Sequence, residues 1–199
     1  MKRIFRIFTV LSLVALIGCN EGRRENDDAA TDDKDSKEVA EEANDEKFED
    51  NDTENDADFV ANTVAANYGE IKFAQLAVDR SSNAEVKRIA TMLVADHTKV
   101  LGELKTLAST KGITVPVEED DEAKRKTERF SDEAGKDFDK KWCREMIDRH
   151  EESIRKFEKR SDKSEDAELK NWINKTVPSL KHHKEELEGC LEKIKDSNT

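Results

Sequence analysis

The 199-residue sequence contains only two prolines, seven glycines and three cysteines, and aromatic side chains make up 6% of it. So few turn formers exclude a domain built from many short strands, because every hairpin and sandwich corner needs them. The residues present in their place are largely Glu, Lys and Ala, which favour helix. No run of about 20 apolar residues occurs, so no segment is long enough to cross a bilayer as a helix. Positive charge is in deficit: 35 Lys and Arg stand against 47 Asp and Glu, a net charge of −12. An acidic chain is a poor ligand for nucleic acid, which rewards clustered cations, and no nucleic-acid partner is expected. Also missing are a Gly-x-Ser-x-Gly elbow, a phosphate-binding glycine loop and a Cys-x-x-Cys pair. Hydrolase and nucleotide chemistry therefore have no residues to stand on. No catalytic residue is assigned, and the reading leans away from an enzyme.

What is present begins with an address. Lys2, Arg3 and Arg6 precede an apolar run from Phe8 to Ile17, the pattern of a secretory signal over residues 1–18. Leu16-Ile17-Gly18-Cys19 follows and resembles the bacterial lipobox. There the small residues admit the peptide to a peptidase and the thiol carries the lipid. Several acyl chains, each contributing roughly 0.8 kcal/mol per buried methylene, anchor a protein stably. The alternative is an ordinary signal peptide with an incidental cysteine. Asn20 is not the Asp that resembles an inner-membrane retention signal. The expectation is a bacterial envelope lipoprotein held in the outer membrane through Cys19, with protein partners unspecified.

Charge divides the remainder. Residues 20–58 hold 18 acidic and five basic side chains, whereas residues 59–199 hold 29 and 27. The first stretch has hardly an apolar residue beyond Val39, Phe48 and scattered Ala. Too little surface is available there to offset ordering entropy, which predicts a solvated acidic tether over 19–58. About 140 residues remain, enough for one four-helix core.

Apolar residues three and four apart predict four helices in that domain: 59–80, 84–110, 131–160 and 164–195. Ser81-Ser82-Asn83 supplies a turn and an N-cap, and Lys111-Gly112 closes the second helix. The stretch 113–129 is long enough for a crossover, with room for a helical turn of its own. Pro178 is expected to kink the fourth helix. The expected fold is all-α, an antiparallel four-helix bundle made of two helical hairpins joined by a long connection.

Four polar residues sit in phase with the apolar stripes, one per helix: Glu70, His97, His150 and His183. Facing residues in an antiparallel hairpin share a constant index sum. The pairs 63/104, 70/97 and 77/90 share 167, centred on the first turn. The pairs 143/190, 150/183 and 157/176 share 333, centred near Asp166. Glu70 should therefore meet His97, and His150 should meet His183. The arithmetic does not set the height of one hairpin against the other.

Phe59-Val60, Glu70-Ile71 before Leu76-Ala77, Ser82-Asn83-Ala84-Glu85-Val86-Lys87 and Met92-Leu93-Val94-Ala95-Asp96-His97 resemble the first half of domain-of-unknown-function family 4142. Gly135, Phe138-Asp139, Met146 to His150, and Val177-Pro178-Ser179-Leu180 before His183 resemble its second half. The resemblance covers nearly all of residues 58–195 and implies a ferritin-like bundle of a family often labelled as outer-membrane proteins. Trp142 stands where the family usually has Tyr, and Arg149 where an Asp usually precedes the His.

Imidazole and carboxylate in a bundle core suit a transition metal such as Zn, Cu or Fe, and the expected ligands are Glu70, His97, His150 and His183. Asp96 and Asp139 are the expected partners orienting a ring nitrogen. The residues three before the histidines are Val94, Ile147 and Leu180, so the Glu-x-x-His pairs of di-iron bundles are absent. The competing reading is a metal-free envelope interaction module whose Glu and His satisfy one another in a buried network. Cys143 and Cys190 share the index sum 333 and are candidates for a disulfide in an oxidising envelope. Facing helices usually hold Cα atoms ~8–10 Å apart, beyond the ~7 Å disulfide limit, so a bridge requires close approach.

Overall fold

A computed structural model describes residues 34–196, and the segment from Lys34 onward forms one compact unit. The signal sequence and Cys19 lie outside the described residues. Six helices follow in order: α1 (Ser36–Asp45), α2 (Asn51–Arg80), α3 (Ala84–Lys111), α4 (Asp121–Ser131), α5 (Gly135–Lys163) and α6 (Ala167–Asp196). No strand occurs among the described residues.

Side-chain caps fix the starts of α3 and α6, whereas α5 begins after Ala134 without one. Asn83 caps α3 by accepting from the Glu85 and Val86 amides, and Asp166 caps α6 by accepting from those of Glu168 and Leu169. Gly112 ends α3 in the left-handed region at φ 66°, where its amide and that of Ile113 satisfy the Ser109 and Ala108 carbonyls. Pro178 lies inside α6 without ending it.

Contacts between helices give the topology. Asp56–Arg160 and Ser81–Asp139 run α2 against α5 in opposite directions. Asp96–His183 and Lys111–Asp166 do the same for α3 and α6. Each hairpin is antiparallel as well, so all four neighbouring pairs are antiparallel and α3 and α5 are diagonal and parallel. That arrangement requires the connection 112–134 to return the chain along the length of the bundle, as in one-crossover bundles. α4 lies within this connection and packs on α2.

The acidic tether is expected over 19–58, but residues 34–58 belong to the folded unit; the rest of that stretch lies outside the described residues. Asp35 and Asp50 use their charge locally, capping α1 and α2. Ala40 is buried, and buried Asn44 exchanges hydrogen bonds with the Thr114 backbone. Buried Asp56 accepts from Arg160 Nε at 2.5 Å and from Ser164 Oγ at 2.8 Å. Acids with local or cross-chain partners do not behave as a repelling spacer, which composition alone does not reveal.

Apolar residues form two clusters. One contains Phe73, Ile89, Leu93, Trp142, Met146 and Leu187; the other contains Val60, Val64, Leu104, Phe157, Ile173 and Leu180. On every long helix, the polar core residue falls between the two.

Candidate metal centre

Glu70, His97, His150 and His183 are all buried and meet at that interval, at one level across both hairpins. Each index sum corresponds to a contact. Glu70 Oε2 lies 3.0 Å from His97 Nε2, and His150 Nε2 lies 3.4 Å from His183 Nδ1. The three imidazole centroids form a triangle with 5.4 Å sides. One ring nitrogen from each histidine lies within 4.8 Å of the other two.

The outer nitrogens determine what the inner ones present. His150 Nδ1 donates to the Met146 carbonyl at 2.8 Å. His183 Nε2 donates to Asp96 Oδ2 at 2.9 Å. His97 Nδ1 donates to Asn67 Oδ1 at 3.0 Å, and the Asn67 amide is oriented by its own donation to the Thr63 carbonyl. A neutral imidazole has one N–H and one lone pair. With each N–H committed outward, His97 Nε2, His150 Nε2 and His183 Nδ1 present lone pairs to one another.

Electrostatics keep His97 and His183 in that form. Burial depresses the His97 imidazole from 6.5 to about 4, against the opposing pull of Glu70. Burial also lowers His183, although its hydrogen bond to Asp96 works the other way. Burial raises the Glu70 carboxyl, but the basic groups around it, the always-charged Arg149 among them, outweigh this and hold it below the usual range. Glu70 Oε2 and His97 Nε2 are thus two acceptors 3.0 Å apart, and neither makes a hydrogen bond. Buried acceptors without donors are costly, on the order of 1–3 kcal/mol each.

A divalent metal fits this arrangement. Two nitrogens bound to one tetrahedral zinc at ~2.0–2.1 Å stand ~3.3–3.4 Å apart, which is the spacing of His150 Nε2 and His183 Nδ1. The three outer partners are a carboxylate, an amide oxygen and a backbone carbonyl, the groups that orient metal-bound imidazoles. Glu70 does not join the set of three nitrogens that are mutually within 4.8 Å; it flanks them on the His97 side.

The other expected residues divide. Asp96 reaches the site, though across the helix boundary to His183 and not to its neighbour His97. Asp139 does not reach it. Its carboxylate accepts from Ser81 Oγ at 2.7 Å, at the α2–α3 turn, because eleven residues separate it from His150 on the same helix. Cys143 and Cys190 are free and buried, and their thiols share a hydrogen bond that pushes Cys143 up. The two side chains are therefore neighbours across the α5–α6 seam, and both thiols are free. Asn67 was not anticipated. Its position three residues before Glu70, on the same face of α2, was the available signal. The Met146 carbonyl carries no sequence signal at all.

No curated protein and no solved structure is detectably similar to the chain. A family model described as a domain of unknown function, DUF4142, matches residues 37–189. That span begins inside α1 and ends within α6, so it takes in all three histidines together with Asn67, Glu70 and Asp96. The match covers more than half of the chain, and the chain belongs to the DUF4142 family.

Proposed function

We propose that this protein is a lipid-anchored envelope protein whose bundle binds one divalent transition metal through His97, His150 and His183. The metal would be held there for sequestration, sensing or stress protection. The observation that carries the reading is the convergence of three imidazole lone pairs whose N–H groups are all committed elsewhere. Without a cation the inner nitrogens face one another with no proton to share, a poor design for a metal-free network. The basic, apolar and small-residue succession ending at Cys19 supports the envelope address.

Elemental analysis of the full chain, purified without affinity tag or chelator, tests this beside a variant carrying His97→Ala and His150→Ala. The expected result is near-stoichiometric metal that the double variant loses while its helical signal persists. A folded wild-type chain that takes up no Zn, Cu or Fe on challenge would leave the histidines as a structural network.

A further inference from the structure

The four polar core residues are not equivalent. The three histidines occupy a common locus, whereas Glu70 stands to one side with Oε2 unpartnered. On that side a cleft of about 240 Å3 opens between α2, α4 and α5. Glu70 and His97 line it as its most buried polar members, 5% and 3% exposed. Phe59, Ala66 and Phe157 contribute to its walls, and exposed Lys156 to its rim. His150 and His183 do not line it. Closed structural metal sites use four protein ligands, whereas reactive ones use three and leave a position for an exchangeable ligand. Here three nitrogens converge, and the side they leave uncovered faces a cleft.

We infer that the metal keeps an open coordination position on the Glu70 side, holding a water that small anions entering through the cleft can displace. The inference rests on the metal-binding reading above. Glu70 is the positioning residue: its carboxylate accepts a hydrogen from the bound water and does not itself close the site. Exchange replaces one metal–oxygen bond by a bond to the anion, releases the water, and involves no change of oxidation state. Ligands of this class are small oxygen- or nitrogen-donor anions. The cleft walls are too mixed in charge to hold them without the metal, since Lys126, Arg149 and Lys156 are each paired with a glutamate.

The test is azide titration of the full chain loaded with cobalt(II), followed by its visible spectrum. A saturable spectral change is expected with one cobalt bound. Ala66→Trp, at an exposed position in the cleft, should weaken azide by about tenfold or more and leave the cobalt content unchanged. Glu70→Gln should keep its cobalt and bind azide more tightly, because the competing water keeps only a neutral, weaker acceptor and the entering anion no longer meets a carboxylate. A cobalt-loaded wild type that ignores azide would overturn the inference while leaving metal binding intact. So would an azide response that appears only in Glu70→Ala, which would make Glu70 a fourth ligand. An unchanged azide affinity in Ala66→Trp would remove the cleft as the route, and in Glu70→Gln it would remove the positioning role. Failure to bind cobalt at all would instead sink the metal reading, and the inference with it.

Discussion

Asp96 is a residue whose effect exceeds its burial. Its side chain is 49% exposed, yet its carboxylate holds the fully enclosed His183 ring by the nitrogen that faces away from the cluster. Removing its charge should leave packing alone and loosen the ring. Asp96→Asn is therefore expected to weaken metal affinity by roughly 10- to 100-fold, with little change in the thermal midpoint of the metal-free chain. Competition against a chromogenic chelator measures the first and a thermal melt the second. Equal affinities would mean that the His183 ring is positioned by packing alone. Asp96 was legible in the sequence because it precedes a core histidine, but the histidine it serves is on another helix. Asn67 and the Met146 carbonyl orient rings just as directly, and neither belongs to a residue class that signals a metal partner.

At the level of elements, α4 shows how little of a helix's role its own composition reveals. None of its residues is fully buried, and its Phe130 ring packs edge-on against Phe73 of α2 with centroids 4.8 Å apart. Gly69 makes the approach possible, since a Cβ there would stand 2.9 Å from the Ala123 Cβ. Lys72 also reaches the buried Glu119 at the start of this segment, at 2.6 Å. Gly69→Ala gains about 1 kcal/mol of helix propensity but forces the smaller helix outward. Amide hydrogen exchange across 121–131 should accelerate in that variant while α2 and α3 keep their protection. Unchanged exchange in α4 would show that the contact relaxes in place. α1 offers a parallel case. Its sequence reads as tether, yet Asn44 ties it to the α3–α4 connection through two hydrogen bonds to Thr114.

For the whole molecule, the polar layer between two apolar clusters makes stability depend on protons. His97 in the folded, metal-free chain protonates only near pH 4, whereas an unfolded histidine does so at 6.5. As pH falls through that window the unfolded chain takes up a proton that the folded chain refuses. Stability must therefore decline by up to ~1.4 kcal/mol per pH unit. Glu70 acts in the same direction, because its lowered folded value confers stability above the unfolded carboxylate range that is lost on further acidification. Urea midpoints of the chelator-treated chain at pH 7.5, 5.5 and 4.5 should fall in that order. A midpoint independent of pH across the window would show that His97 is not held neutral.

The sequence by itself determined the four long helices, the cap at Asn83 and the stop at Gly112, the two hairpins and the pairing of Glu70 with His97 and of His150 with His183. These follow from local periodicity and from hairpin arithmetic, which depend only on residues near in the chain or joined by a short turn. Only the tertiary structure decided that the two pairs share one level. That height is set across the 112–134 connection by contacts such as Asp56–Arg160 and Asp96–His183, between residues 87 to 104 positions apart. The same contacts drew residues 34–58 into the fold, left Asp139 at the far turn, and turned a possible four-ligand set into three histidines with a carboxylate beside them. Periodicity specifies which face of a helix is buried; the packing of distant faces specifies which buried groups meet.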